Sequence, residues 1–189
     1  KGDYAGAFRK LPIKLRRLFI QAYQSYLFNR FLSQRLKGGT SLNEPQTGDY
    51  IVQVDSQGLL TGEFTQLASP TNVKEAMRKG EIQLAIPLIG FKQSLSSGRQ
   101  GEIERKILET EQVTPQNFFV SCMPELRAQG ELRPATVQVK NFSINDISDD
   151  SVNADKRKVT LSFMLNRSCY ATILLREFMK PKNLIKAGF

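Results

Sequence analysis

The sequence predicts an α+β fold, with a mixed α/β region followed by a strand–strand–helix segment. Three observations support this prediction. There is a long helical pattern near the N-terminus, a series of short strand patterns separated by turn residues in the middle, and a change of pattern after Pro134. The chain has 189 residues, of which 40% are hydrophobic and 24% are charged. This composition is typical of a globular protein with one ordinary domain or two small ones.

The first predicted element is a long helix over residues 11–37. Pro12 lies in its first turn, where the missing backbone N–H costs little, and Gly38 follows its end. The apolar residues form two stripes on opposite sides of this helix. The first stripe consists of Leu15, Leu18, Phe19, Ala22, Tyr26 and Leu36, and the second of Ile13, Ile20, Leu27 and Phe31. We expect a helix that is apolar on two sides to be packed between other elements.

Two strands are predicted in the middle of the chain. Residues 50–54 alternate in the manner of a strand and are followed by a turn signal at residues 56–58. Residues 82–89 form a second apolar run. Pro87 lies within this run and cannot donate to a β-ladder, so we expect the second strand at the edge of its sheet.

Three short helices are predicted around these strands. Asn72 and Glu75 resemble a capping box, and Gly80 is a suitable end for the helix that they begin. A second helix carries an apolar face over residues 103–108, and a third begins with a cap and a proline over residues 114–118.

The pattern changes after Arg133, where we place a domain boundary between residues 1–133 and 134–189. An extended run over residues 137–142 leads into a polar turn region at 145–155. Strict alternation over residues 159–165 then predicts a half-buried strand. A helical period returns over residues 170–180.

Composition excludes several classes of chemistry. The chain contains no histidine, which rules out catalysis by Ser-His or Cys-His pairs. Its two cysteines, Cys122 and Cys169, cannot complete a zinc shell and are expected to be reduced thiols in a cytoplasmic protein. No stretch approaches the roughly 18 apolar residues of a membrane span, and nothing resembles a signal peptide. We therefore expect no zinc site and no membrane span.

The net charge of +9 is unevenly distributed. Residues 1–37 contain nine Lys and Arg against one acid, Asp3, and so carry +8. Residues 156–189 contain eight against one acid, Glu177, and carry +7, which leaves −6 for the middle. Two basic ends suit a polyanionic partner, because Lys and Arg displace counterions from phosphates. A charge that only maintains solubility is the alternative at this point.

Two segments are candidates for phosphate contact. A polar strip runs between the two apolar stripes of the long helix, and its members with their neighbours are Lys14, Arg16, Arg17, Gln21, Gln24, Arg30 and Arg35. The Gly/Ser-containing loop 90–101 carries Lys92 and Arg99 but lacks the ending of a nucleotide-binding P-loop. A solvated helix face and a structural turn are the respective alternatives. The acidic residues of 146–155 are assigned to a solvated loop.

Three motifs resemble the archaeal and eukaryotic branch of TruD-type tRNA pseudouridine synthases. The first is Leu15-Arg-Arg-Leu-Phe-Ile-Gln-Ala-Tyr-Gln-Ser-Tyr-Leu-Phe-Asn-Arg30, which is similar to the helix signature of that family. The second is Pro87-Leu-Ile-Gly90 with Gly98, Gly101, Arg105 and Leu108-Glu-Thr-Glu111, which resembles its insert-domain loop and helix. The third, Cys169-Tyr-Ala-Thr-Ile-Leu-Leu-Arg-Glu177, departs from the family pattern only in Ser168-Cys169 where Gly-Ser is usual.

The resemblance implies that residues 1–133 form an RNA-binding insert domain and that 134–189 complete the sheet of the catalytic domain. The parent enzyme would isomerise a uridine, at position thirteen of tRNA in the best-known members, to pseudouridine. An aspartate attacks the nucleoside, the N1–C1′ bond breaks, the base turns, and C5 is joined to C1′. No cofactor takes part. The family's Lys-Asp…Thr…Gln segment, which holds the nucleophile, has no counterpart here, so we expect an inactive C-terminal fragment whose N-terminal catalytic part is missing.

The resemblance also implies roles near the C-terminus. Tyr170 would line the uridine pocket, and Arg176 would contact a phosphate or a carboxylate of the active site. A core aromatic and an ion pair with Glu177 are the respective alternatives. Lys180 lies on the same helix edge as Arg176 and is assigned to RNA binding. The implied partner is tRNA and the implied location cytoplasmic, or nuclear in a eukaryote. A non-catalytic RNA-binding protein of the same architecture stays open.

Overall fold

A computed structural model of the chain describes residues 2–71, 73–167 and 169–188. The chain is α+β, as predicted, and divides into two compact units, Lys1–Thr136 and Val137–Phe189. The predicted boundary after Arg133 falls inside a strand, because Pro134 pairs with Ala85 of the first unit.

The first unit begins with two helices. Helix α1 spans Tyr4–Arg9, with the Asp3 carboxylate accepting a hydrogen bond from the N–H of Gly6 at its start. Helix α2 spans Ile13–Lys37 and has Pro12 as its N-cap, which confirms the predicted long helix. The short α1 was not predicted, since six residues contain too little periodicity to be recognised.

Helix α2 packs against an antiparallel sheet of four strands. Its strands are β1 (Tyr50–Val54), β2 (Leu60–Gln66), β3 (Ile82–Leu88) and β4 (Glu131–Pro134), in the spatial order β2-β1-β3-β4. The predictions of β1, of the turn after it and of β3 are confirmed. The strands β2 and β4 were not predicted, because their residues are largely polar and lack alternation.

The prediction that β3 lies at the edge of the sheet is wrong. This strand is internal, with β1 on one side and β4 on the other. Proline is tolerated there because β1 pairs only with the segment from Ile82 to Ala85 and ends before Pro87. On the other side Pro87 lies opposite Leu132 in the β4 register.

Two α-helices and two 3-10 helices complete the first unit, and the second 3-10 helix, Pro124–Leu126, was not predicted. Helix α3 spans Lys74–Lys79 and ends at Gly80, whose φ of 77° is the left-handed value that favours glycine; the predicted cap Asn72 lies outside the described residues. Helix α4 spans Gly98–Thr110 and so begins inside the predicted loop. The predicted third helix is a 3-10 helix, Pro115–Phe119, with a capping box formed by Thr114 and Asn117.

The core of the first unit lies between α2, α4 and the sheet. Its fully buried apolar residues include Leu27 and Phe31 of α2, Leu84 and Ile86 of β3, and Ile107 and Leu108 of α4. The second stripe of the long helix is therefore its core face. The first stripe is largely exposed: Leu18 is 54% exposed, and Phe19 contacts only the Phe8 ring of α1 among the aromatic rings described, with centres 5.9 Å apart. The prediction that α2 is covered on both apolar sides is wrong within this chain.

The second unit is a strand–strand–helix segment, as predicted. Strand β5 (Lys140–Asp149) pairs with β6 (Arg157–Met164) in an antiparallel hairpin, and α5 spans Ala171–Met179. The polar turn predicted at 145–155 is shorter than expected, because β5 continues to Asp149. None of the residues described between 137 and 188 is buried, so this part of the unit has no core of its own.

In the parts of the chain that are described, no helix is long and apolar enough to cross a membrane.

Candidate functional site

A cleft of about 400 Å³ lies in the first unit between α2 and the segment 124–131. One wall is α2, which supplies Arg17, Gln21 and Gln24 from the polar strip and also Ser25. The opposite wall consists of residues 125–131, and Leu88 at the end of β3 also lines the cleft. The volume lies within the range of roughly 300–1,000 Å³ that is usual for small-ligand sites.

The α2 wall carries polar groups without a partner among the described residues. Gln24 is buried and donates its Nε2–H to the carbonyl of Ile89 at 2.6 Å, which leaves its Oε1 unused. Neither the Gln21 amide nor the Ser25 hydroxyl makes a hydrogen bond to another described residue. Gln21 is exposed and Ser25 half-buried, and the Oε1 of Gln24 is not a buried unpaired atom, so all three groups can hydrogen-bond a polar ligand.

Arg17 lines the cleft, and its side chain is held by a hydrogen bond to the backbone of the facing segment. Its Nε–H donates to the carbonyl of Glu125 at 3.2 Å. The two terminal nitrogens have no hydrogen-bond partner among the described residues and the residue is exposed. A guanidinium fixed in this way presents its free N–H groups to an anion.

The opposite wall is shaped by a close approach of two loops. The N–H groups of Phe91 and Lys92 donate to the carbonyls of Ala128 and Gln129, each at 3.0 Å. A Cβ at Gly90 would lie 2.1 Å from the nitrogen of Gly130. Only glycine therefore permits this contact at residue 90, which fixes the position of the wall.

Arg127 stacks at the edge of this wall. Its guanidinium carbon lies 3.9 Å from the centre of the Phe119 ring, and its Nε–H donates to the Phe119 carbonyl at 3.2 Å. Phe119 in turn meets Phe91 edge to face, with ring centres 5.2 Å apart. The side chain of Arg127 is exposed and oriented by these contacts.

The acids of the cleft are Glu125 and Glu131. The Glu125 carboxylate accepts a hydrogen bond from Arg16 at 2.7 Å and lies 3.7 Å from Arg9. Its pKa is lowered by a hydrogen bond from its own backbone N–H and by Arg16. Arg9 and Arg16 neutralise this acid, so Arg17 and Arg127 remain as cations against the single carboxylate of Glu131.

The structure corrects the placement of Arg35. It is 1% exposed, and its guanidinium donates to both carboxylate oxygens of Asp49, at 2.9 and 2.7 Å. It also donates to Gln100 and to the carbonyl of Glu44. The prediction that Arg35 belongs to an exposed phosphate-binding strip is wrong, because Asp49 removes it from the surface.

Three of the other predicted cations are also paired. Arg16 is largely buried against Glu125, and Arg30 forms an ion pair with Glu111. Tyr26 donates its hydroxyl to the same carboxylate at 3.2 Å. Arg99 is exposed but donates to the carbonyl of Gly38 at 2.7 Å. Lys14, Lys92 and Lys180 are exposed.

Next to Arg35 lies a buried carboxylate, Glu104, on α4. It accepts hydrogen bonds from Ser96, through both its N–H and its hydroxyl, and from the Gln100 amide. Burial raises its pKa from 4.5 to about 6, although these hydrogen bonds lower it. The loop 90–101 is therefore anchored by its own side chains, which supports the structural-turn alternative for it.

Glu104 should make the stability of the chain depend on pH. An acid whose pKa is higher in the folded chain binds more protons in the folded than in the unfolded state. The stabilisation that Glu104 provides is therefore complete below pH 4.5 and is lost as the pH rises through about 6. The loss amounts to about 2 kcal/mol, since one pKa unit corresponds to about 1.4 kcal/mol. We expect urea unfolding between pH 4 and pH 7 to show this loss in the wild type relative to Glu104→Gln.

The matched control is Glu102→Gln, an exposed acid on the same helix. The difference in the free energy of unfolding between Glu102→Gln and the wild type should not change over the same pH range. A difference for Glu104→Gln that stays constant with pH would contradict the raised pKa.

In the second unit, Tyr170 is the N-cap residue of α5 and is 68% exposed. The core-aromatic alternative therefore has no support within this chain. Arg176 lies six residues further along the chain, within α5, and its Nη2 is 3.4 Å from the Glu177 carboxylate, which is itself largely exposed. Such a surface pair contributes little to stability, so Arg176 is available for another partner.

Sequence reasoning found only one wall of the cleft. The strip on α2 was recognised from its helical period, but Arg127 and the rest of the facing segment are about 100 residues further along the chain. That segment consists of the 3-10 helix Pro124–Leu126 and the loop that leads into β4, and it shows no periodicity. A signal was present in the alternation of Arg127 and Gln129 with small residues, although this pattern is common in loops.

Comparison with known proteins gives a family match over residues 1–178, to the family described as tRNA pseudouridine synthase D (TruD). A relative from Methanosarcina acetivorans, named "Probable tRNA pseudouridine synthase D", is 37% identical over 181 residues, covering 94% of this chain and 41% of the relative. A relative of the same name from Methanopyrus kandleri is 40% identical over 177 residues, covering 94% and 36%.

A solved structure agrees with these matches. The crystal structure of a Methanosarcina mazei protein described as a tRNA pseudouridine synthase D superposes with a TM-score of 0.86 at 32% identity, covering 95% of this chain and 41% of that chain. The chain thus spans about two fifths of the length of these relatives.

Proposed function

Because the chain belongs to the tRNA pseudouridine synthase D family, we propose that it is part of an enzyme that isomerises a uridine of tRNA to pseudouridine. The observation that supports this proposal is the family match over residues 1–178. The relatives are more than twice as long as the chain, so the activity is proposed for a longer parent protein. We place the parent protein where tRNA is processed, in the cytoplasm or, in a eukaryote, in the nucleus.

We assign RNA binding to the first unit and active-site support to the second. The cations of residues 1–37 and the cleft below α2 provide groups for phosphate and base contact. The second unit has no buried residue among those described, which fits a hairpin that completes a larger sheet. The nucleophilic aspartate belongs to a family motif that these 189 residues do not contain.

The parent enzyme must take its target uridine out of the base stack. This costs a few kcal/mol, which aromatic stacking and phosphate contacts offset. Tyr170 and Arg176 are suited to these roles because an exposed ring at the N-cap of α5 and a half-buried guanidinium within α5 belong to the same short helical segment. Uracil would stack on the Tyr170 ring, and Arg176 would hold a phosphate or a carboxylate of the active site.

The 189-residue chain alone should bind tRNA but form no pseudouridine. We expect the affinity to fall by at least about tenfold between 50 and 200 mM salt, because several counterions are released from the RNA backbone. Filter binding at several salt concentrations measures the first quantity. A chemical assay for pseudouridine in the same tRNA measures the second.

The full-length parent protein is the reference for the chemical assay, and the proposal requires it to form pseudouridine. Product formed by the chain alone would overturn the assignment of the nucleophile to the rest of the parent. Absence of tRNA binding at low salt would overturn the RNA-binding role. If the parent protein bound tRNA but formed no pseudouridine, a non-catalytic RNA-binding protein would be the correct assignment.

A further inference from the structure

We propose that the cleft between α2 and residues 124–131 is a subsite for one unpaired nucleotide of the RNA. This inference rests on the proposed function, since it assumes that RNA is the partner. It specifies the ligand of the cleft. The phosphate of the nucleotide lies at Arg17, and its base lies between the amide-lined wall of α2 and Arg127.

The phosphate position follows from the way Arg17 is held. The hydrogen bond from its Nε–H to the Glu125 carbonyl fixes the plane of the guanidinium. Its two terminal nitrogens have no partner among the described residues, and together they match the paired oxygens of a phosphodiester. Lys14, one turn earlier on α2, is exposed but does not line the cleft, so it offers a charge of the same kind at a different place.

The base position follows from the unused polar groups below Arg17. The Gln24 side chain is 4% exposed, and its Oε1 has no protein partner in the described chain. Gln21 offers a further donor and acceptor, and Ser25 a hydroxyl. Amide and hydroxyl groups of this kind recognise base edges, while Leu88 and Leu126 supply apolar contact for the ring.

The preference for an unpaired nucleotide follows from Arg127. One face of its guanidinium lies on the Phe119 ring. Since the side chain is exposed, the other face can carry a nucleobase, as arginine planes do in proteins that bind single-stranded RNA. Bases in a duplex are already stacked and paired and cannot enter a cleft of about 400 Å³.

A peptide is the other ligand that a polar cleft of this size accepts. The charges favour RNA, because Glu125 is neutralised by Arg9 and Arg16 and two arginines then face the single carboxylate of Glu131. The segment 1–37 has a net charge of +8, which is still +5 after the three acids paired with it, Glu125, Glu111 and Asp49, are subtracted. Both features raise the local concentration of a polyanion.

The test compares one single-stranded RNA of ten nucleotides with the same sequence in a duplex, using the 189-residue chain. Ser25→Leu fills the cleft without changing charge and should weaken binding of the single strand about tenfold, the effect of losing one stacked base. Binding of the duplex should be unchanged. Arg17→Gln should weaken binding of the single strand by a similar factor and binding of the duplex by a smaller one.

Lys14→Gln is the matched control, since it removes one charge from the same helix outside the cleft. It should weaken binding of both RNAs equally, by a factor of about two to three. It should also reduce the slope of log affinity against log salt concentration by about one. Thermal unfolding of each variant shows whether the fold is kept. If Ser25→Leu unfolds, Gln21→Ala takes its place, with the same selective loss for the single strand expected.

Equal losses for single strand and duplex with the cleft variants would overturn the subsite and leave a general phosphate surface. No loss with either variant would also overturn it, and would leave the cleft to a polypeptide partner. In both cases the wild type still binds RNA, so the proposed function stands. If the wild type binds neither RNA, the proposed RNA-binding role fails as well.

Discussion

Replacing Arg35 with methionine should lower the free energy of unfolding by about 3–5 kcal/mol, the usual cost of removing one partner from a buried ion pair. Asp49 would then be left as an unpaired charge that is 1% exposed. The Gln100 side-chain oxygen and the Glu44 carbonyl would also lose a donor. Urea unfolding of the 189-residue chain at neutral pH measures the effect.

The pair itself adds much less to stability than its removal costs. The Nε–H of Arg35 is buried without a hydrogen-bond partner in the described chain, so part of the desolvation cost is not recovered. The double variant Arg35→Met with Asp49→Leu should therefore be more stable than Arg35→Met alone, since neither charge is then buried unpaired. With the single variant Asp49→Leu added, the cycle separates the interaction energy of the pair from the cost of breaking it.

Lys37→Met is the control, because it removes one positive charge from an exposed position on the same helix. Its effect should stay within about 0.5 kcal/mol, as is usual for surface substitutions. A similarly small effect for Arg35→Met would contradict the buried pair. It would return Arg35 to the surface strip that the sequence predicts.

Helical and strand periodicity predicted most of the regular elements, but it did not predict which other elements pack against each face. The positions of α2, β1 and α5 follow from local patterns of apolar residues. Which face of α2 is covered depends on β3 and α4, which lie far along the chain. Two apolar stripes looked equivalent in the sequence, and only the stripe of Leu27 and Phe31 is buried here.

The candidate site was predicted in part for the same reason. Arg17 was recognised because it is a cation on the polar side of a clear helix. Arg35 has the same local pattern but is buried, since an acid 14 residues later pairs with it. The wall that contains Arg127 comes from a segment without periodicity. Local patterns give the direction of a side chain, whereas its partner is set by tertiary contacts.

In the full-length parent enzyme, Tyr170→Leu should slow the single-turnover conversion of uridine roughly 10- to 100-fold, the effect expected for the loss of one base-stacking ring. The melting temperature should be nearly unchanged, because the ring is 68% exposed in its unit and contributes little packing there. Tyr170→Phe keeps the ring and should keep most of the rate. Rapid-quench kinetics and thermal unfolding on the same samples measure both quantities.

Arg176→Met should also slow conversion while leaving the fold intact, because its 3.4 Å contact with Glu177 is an exposed pair of little energetic value. Phe178→Leu is the matched control on the same helix. The Phe178 ring stacks on Phe142 with centres 5.2 Å apart, so its loss should reduce stability more than rate. If Tyr170→Leu lowers the melting temperature as much as Phe178→Leu does, and this loss accounts for the lower rate, Tyr170 is a structural residue and the uridine pocket lies elsewhere.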